Sequence, residues 1–278
     1  MIKKIHQLSK TSELKDFEKE SQKRLIEFNE GYEYKLWTDE DLKILFKENN
    51  EELYNLWDKM RGVQRADLGR YLILYLEGGF YCDTDFYLNS KLDDLGILDK
   101  TYFAPSTPDF IFFEPGFTNY FMYSPGGDKI FLDIILESIN RIKNTSDYNQ
   151  PVYISYTTGK ILINKIAKEK KINFNIFSRN KIIDMNCDCT KIDDYIGYHN
   201  GGTSRKNKKD SWLNSYVSGV IEVECSLRKN LGVKGNICQV PLLFIIAVIL
   251  TLVLIFYSFR KMNRVKRVNK EKKVRFKK

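Results

Sequence analysis

The chain has 278 residues, with 45 Lys plus Arg against 36 Asp plus Glu, a net charge of +9 and 14% aromatic side chains. Residues 260–278 (RKMNRVKRVNKEKKVRFKK) hold eleven Lys/Arg and one acid, so the preceding body is close to neutral and the surplus charge does not make it a nucleic-acid binder. Five cysteines, Cys82, Cys187, Cys189, Cys225 and Cys238, are too few and too irregular for a disulfide framework, and Cys187-Asp188-Cys189 lacks the second pair a zinc site needs.

In chain order, Ile2 to Gln7 is a short β-favouring run, and no apolar stretch of signal-peptide length stands at this end. Tyr32 to Trp37 (YEYKLW) alternates with period two and predicts a strand. Thr38 or Asp39 offers a side-chain acceptor to cap a helix over Asp41 to Asn49, and a second helix is expected over Glu52 to Met60. Gln64 to Glu77 (QRADLGRYLILYLE) is apolar almost all round after its first turn. It predicts a buried helix, ended by left-handed Gly78-Gly79. Phe80 to Leu88 then reads as one strand with Cys82-Asp83-Thr84-Asp85 in its middle. Helices over Ile130 to Lys143 and Lys160 to Glu169 follow, with strands over Ile172 to Phe177 and Ile182 to Met185. This alternation argues for an α/β sandwich with a mainly parallel sheet, in one domain over residues 1–215.

Residues 216–239, with Gly219, Gly232 and Gly235 among mixed charges, read as a stalk. Val240 to Phe259 is a run of twenty uncharged residues, which as a helix spans about 30 Å, the hydrocarbon thickness of a bilayer. It predicts a C-terminal transmembrane anchor, with 260–278 as a basic tail at the membrane surface. Topology stays open. The basic flank favours a cytosolic tail and a translocated body, the missing leader favours a cytosolic body, and the sequon Asn144-Thr145-Ser146 is used only in a lumen.

The chemistry centres on Asp83 and Asp85. Two carboxylates two apart on an extended strand face the same way and can approach one divalent cation or one polar ligand. A sheet interior does not hold two unpaired carboxylates, so they belong at a strand end beside a metal, a cation or solvent. Such hard oxygen ligands suit Mg2+ or Mn2+, which complete their octahedra with diphosphate oxygens.

The segment RADLGRYLILYLEGGFYCDTDFYL is very similar to the core signature of the DXD-containing sugar transferases. These include the yeast-type initiating mannosyltransferases, the mannosyl-inositol-phosphoceramide synthases and many bacterial and viral members. Lys4-Ile5-His6-Gln7, Tyr34-Lys35-Leu36-Trp37-Thr38-Asp39, Asn119 to Pro125 (NYFMYSP) and Thr158-Gly159 also resemble that family, in its order, so the likeness spans roughly residues 1–215. Lys160 stands where the family usually has Pro.

The resemblance implies a GT-A fold, a Rossmann-like sheet that binds a nucleotide-diphosphate sugar, and hexose transfer with retention of anomeric configuration. It implies Asp85 as direct ligand to Mn2+ or Mg2+, and Asp83 as partner of sugar or ribose hydroxyls and metal-bound water. Asp67 and Arg70, one helical turn apart, would hold the donor sugar, and Ile5, His6 and Gln7 would line the nucleotide pocket. The family's late His and Ser-Trp element suggests His199 as a further metal ligand and Ser211-Trp212 at the diphosphate. The run joining them (NGGTSRKNKKDS) is long and basic, and leaves Ser204 as an alternative to Ser211. The implied donor is GDP-mannose or a UDP-hexose, and the implied acceptor a glycan or glycolipid.

Plainer readings stand beside these. His199 is a ligand or an ordinary surface or core residue, His6 a satisfied strand histidine, Trp37 a packed aromatic before a base-stacking platform. Asp67 and Arg70 form a site or a surface ion pair, although their helix is too apolar for a solvated one. Asp39, Asp41, Asp193 and Asp194 read as cap and turn acids, and Tyr75, Phe80, Tyr81, Phe86 and Tyr87 as core. One rival function is a haloacid-dehalogenase-type phosphohydrolase with Asp83 as nucleophile, Asp85 as acid/base, Lys181 on the phosphate and Asp193-Asp194 on Mg2+. Phe86-Tyr87 departs from that family's pattern. Another rival is a non-catalytic, membrane-anchored sugar-binding protein.

Overall fold

A computed structural model describes residues 1–105, 116–145, 150–171, 175–178, 181–184 and 195–199. The chain opens with β1 (Lys4–Leu8), α1 (Asp16–Phe28), β2 (Glu33–Trp37), α2 (Asp39–Asn49) and α3 (Glu51–Asn55). After a 3-10 turn at Trp57–Lys59 come α4 (Gly62–Leu76), β3 (Gly79–Cys82) and β4 (Phe86–Leu88). A second 3-10 turn at Leu92–Leu95 leads to β5 (Tyr102–Pro105), β6 (Phe117–Ser124), α5 (Lys129–Asn144), α6 (Gln150–Thr157) and α7 (Lys160–Lys170). The last described strands are β7 (Asn175–Ile176), β8 (Ile182–Asp184) and β9 (Gly197–His199).

The main sheet has the order β2-β1-β3-β6-β5-β7. β6 is antiparallel to both neighbours while the other pairings are parallel, so five strands run one way, as the alternation of elements predicts. Successive side chains leave β3 and β6 on opposite faces. Tyr81 and Met122 join the core built with Leu68, Leu72, Ile134 and Ile163 of α4, α5 and α7. Phe80, Cys82, Phe121 and Tyr123 join the opposite core, with Leu25 of α1.

Local signals set several boundaries. Thr38 is the cap of α2, accepting from the Asp41 N–H while the Asp41 carboxylate accepts from the Thr38 N–H at 2.8 Å. Gly78 and Gly79 end α4 at φ +65° and +88°, and a Cβ on Gly79 would lie 2.6 Å from the Lys4 carbonyl oxygen, so glycine is what lets β3 approach β1. The helix expected over Glu52 to Met60 is α3 followed by a 3-10 turn. Together the two turns bury Leu53, Leu56, Trp57 and Met60.

The single strand expected from Phe80 to Leu88 is instead two, a correction that matters for the site. The Phe86 N–H donates to the Asp83 carbonyl at 3.0 Å, closing a tight turn. β3 stays in the main sheet, while β4 pairs with β9 in a second sheet of order β4-β9-β8. A continuous strand would send Asp83 and Asp85 to the side of Tyr81, into the apolar core. The turn keeps Phe80, Cys82, Phe86 and Leu88 in the opposite core, where an unbroken strand would also put them, while freeing both carboxylates from the Tyr81 side.

Among the described residues no helix is long and apolar enough to cross a membrane, and the anchor expected at 240–259 lies outside them. The stalk and basic tail do so too.

Candidate active site at the end of the third strand

Asp83 follows the carboxyl end of β3, the edge of a parallel sheet where ligands characteristically bind. Its N–H donates to the Tyr120 carbonyl at 2.8 Å, and its Oδ1 accepts from the Tyr81 hydroxyl at 2.7 Å. Arg70 of α4 brings Nη1 to 3.0 Å from the same oxygen. Arg70 also reaches Asp67 (Nη2 to Oδ1, 3.5 Å), donates from Nη1 to the Asn119 carbonyl at 2.8 Å, and lies over the Tyr81 ring at 4.6 Å. Side-chain exposures of 8% for Arg70 and 7% for Asp67 exclude a solvated surface ion pair. One guanidinium thus serves two carboxylates, Asp67 buried with it and Asp83 part-exposed at 24%.

Asp67 is held on both oxygens. Oδ1 accepts from the Asn119 amide at 2.8 Å and Oδ2 from the Thr158 hydroxyl at 2.7 Å. Tyr71 closes the set, its hydroxyl accepting from Asn119 at 2.7 Å and donating to the Thr158 carbonyl at 2.8 Å. The segments around Asn119 and Thr158 that resemble the transferase family therefore meet on one carboxylate. Lys160 is the first residue of α7, where proline is equally well tolerated, which accounts for that exchange.

Burial pushes the Asp67 carboxyl up to about 6, although Arg70 and the Thr158 and Asn119 donors hold it down. An unfolded aspartate titrates near 3.9, so the stability this group contributes is fully present below about pH 4 and lost as pH rises through about 6. Asp67→Asn is therefore expected to match the parent in thermal unfolding at pH 4. At pH 7 it should gain on the order of 2–3 kcal/mol. Parallel melting curves across that range check it, and a gain that does not vary with pH would rule out the titration of Asp67 as its source.

β9 supplies the third side of the site. Pairing with β4 sets His199 opposite Phe86 and brings its Nε2 to 3.0 Å from Asp85 Oδ1 and 3.8 Å from Asp83 Oδ2. The ring stacks on Tyr120, centroids 4.5 Å apart and planes 8° from parallel. One ligand atom each from Asp83, Asp85 and His199 lies within 4.8 Å of the others, a separation a single cation can bridge. Burial raises the Asp83 carboxyl, Arg70 and then His199 lower it, and Asp85 raises it again. Two carboxylates and one imidazole fit Mn2+ well and Mg2+ less so, because Mg2+ favours all-oxygen shells.

The other expected residues fall into two groups. Ile5, His6 and Gln7 are buried, with no side chain left facing outward. The His6 ring donates from Nε2 to the Gly78 carbonyl at 2.9 Å and accepts at Nδ1 from Trp37 at 3.2 Å, and burial pushes it down to about 4, so it is neutral near pH 7. Trp37 is a packed aromatic, as its short alternating strand suggests. Ser211, Trp212 and the alternative Ser204 lie outside the described residues, as do Asp193 and Asp194. Unforeseen were Tyr81, which orients Asp83, Tyr120, which backs His199, and α1, whose Glu18 and Ser21 touch the turn.

Residues 15–102 match the family model for the glycosyltransferase sugar-binding region containing a DXD motif. Asp83-Thr84-Asp85 lies within it.

Among curated proteins, inositol phosphoceramide mannosyltransferase 3 of Schizosaccharomyces pombe is 30% identical over 164 residues, covering 58% of this chain and 43% of its own length. Inositol phosphoceramide mannosyltransferase 2 of the same yeast is 39% identical over 92 residues, covering 33% and 27%. The chain thus spans less than half the length of these relatives. Among solved structures, the PaToxG glycosyltransferase aligns with a TM-score of 0.48 at 13% identity, covering 60% of this chain and 69% of that one.

Proposed function

We propose that the protein is a metal-dependent retaining hexosyltransferase that moves mannose from GDP-mannose to a glycolipid acceptor. Its catalytic unit would be a GT-A domain over residues 1–215. The observation that carries this reading is the meeting of Asp83, Asp85 and His199 beside Arg70 and Asp67 at the carboxyl end of β3. Asp85, Asp83 and His199 are the residues to hold Mn2+ or Mg2+, which when bound supplies Lewis-acid neutralisation of the departing diphosphate. Arg70 adds a fixed positive charge at the same place, oriented before substrate arrives by its bonds to Asp83 and Asn119. Asp67, locked by Asn119 and Thr158, is the acceptor for donor-sugar hydroxyls.

The relatives' names favour mannose over galactose or glucose, and an inositol-containing sphingolipid as acceptor. A membrane anchor at 240–259 would hold the site close to such a lipid. The phosphohydrolase reading is weaker, since Lys181, its phosphate partner, donates to the Asp94 and Leu95 carbonyls.

The test is a screen of nucleotide sugars for hydrolysis or transfer by the full chain with Mn2+, before and after chelation. GDP-mannose turnover that disappears on chelation is the expected result. Silence toward every donor would sink the proposal, and phosphate release from a phosphomonoester would favour the phosphohydrolase.

A further inference from the structure

The carboxylates of Asp83 and Asp85 face Arg70 and His199, but the turn carrying them is fastened from its other side, by α1 and β1. The Thr84 hydroxyl donates to Glu18 Oε1 at 3.0 Å, and the other oxygen of Glu18 accepts from the Lys15 N–H at 2.8 Å. Glu18 is only 7% exposed, so one carboxylate ties the first turn of α1 to the tip of the Asp83–Asp85 turn. One helical turn on, the Ser21 hydroxyl donates to the Phe86 carbonyl. The Gln7 amide donates at 3.2 Å to both Ser21 Oγ and the Asp83 carbonyl, with its oxygen accepting from Tyr34 at 2.8 Å. The Tyr87 hydroxyl donates to the Phe17 carbonyl at 3.0 Å.

None of these bonds uses a carboxylate of Asp83 or Asp85. They hold the turn's backbone and its middle side chain, and so fix where the two ligand groups point. Partners bonded directly to metal ligands typically change affinity by about 10–100-fold when removed, and groups that act one step further out, through the turn, belong at the lower end of that range.

We infer that Glu18 and Thr84 are positioning residues for the cation site, α1 setting the geometry of the Asp83–Asp85 turn. The inference rests on the metal-dependent reading above. Mn2+ binding to the full chain is measured by titration, with amide hydrogen exchange at residues 83–86 followed in the absence of metal. Thr84→Val, which removes the hydroxyl and keeps the shape, is expected to weaken Mn2+ binding about 10-fold and to speed exchange at the turn. Thr84→Ser is expected to restore both, and Glu18→Gln to fall between. Mn2+ affinity within about twofold of the parent in both Thr84→Val and Glu18→Gln would overturn the inference, as would failure of Thr84→Ser to recover it. Mn2+ binding by the parent that is lost in Asp85→Ala keeps the underlying reading intact in either case. A parent that binds no Mn2+ removes that reading and this inference together.

Discussion

Replacing Arg70 by Met is expected to cost about 3–5 kcal/mol of stability, the range seen when one partner of a buried charge set is removed. In a domain of this size that lowers the melting temperature by roughly 10 °C. Arg70 is the shared counter-charge of Asp67 and Asp83, and its removal leaves a buried and a part-buried acid with no guanidinium between them, held only by the Asn119, Thr158 and Tyr81 donors. Their carboxyls are raised by burial even with Arg70 present, and without it they rise further. Stability held by the protonated forms is lost as pH rises through those values, so the deficit should shrink on acidification. Melting curves between pH 4 and pH 7 distinguish this from simple packing loss, which would leave a deficit independent of pH. Arg70→Lys should recover little, because a single ammonium cannot reach Asp67, Asp83 and the Asn119 carbonyl together.

Asp85→Ala is expected to do the reverse, leaving the fold intact while removing activity. Its neighbour Asp83 has Oδ1 engaged by Tyr81 and Arg70 and is therefore partly structural, whereas Asp85 faces His199. Taking away Asp85 also removes a charge that raises the Asp83 carboxyl, so the melting temperature should hold or rise slightly. Transfer or donor hydrolysis should fall about 10³-fold, the scale of losing a preorganised electrostatic element at a departing charge. Measured kcat/KM beside a melting curve checks both halves. Activity within tenfold of the parent would remove Asp85 from the mechanism.

Much of this was legible in the residues, and the parts that were not have physical reasons. α4 and its glycine stop are readable because fifteen helical residues carry an almost continuous apolar surface into two left-handed positions. Spacing and family likeness also single out Asp83, Asp85, Asp67 and Arg70, and the structure brings them to the same end of β3. α1 did not. Its buried positions are Glu18, Ser21 and Leu25, so a search for apolar periodicity passes over a helix whose inner face is largely polar. The break after Cys82 was hidden for a related cause. Phe80 to Leu88 has strand composition throughout, and only the pairing of β4 with β9, from much later in the chain, moves its second half to another sheet. His199 was a candidate by likeness, but its approach to Asp85 depends on that long-range register, which local sequence does not encode.

The switch of sheets at Asp83 has a thermodynamic consequence. Asp83 and Asp85 stand at the junction of the main and small sheets, while His199 ends a strand that belongs wholly to the small one. Any ligand bridging all three is therefore also a cross-link between sheets, and its binding free energy must be shared with docking of β9 on β4. By reciprocity, whatever loosens that strand weakens the ligand by the same factor. Occupancy of the site and closure of the late segment of the chain are then one equilibrium viewed from two ends.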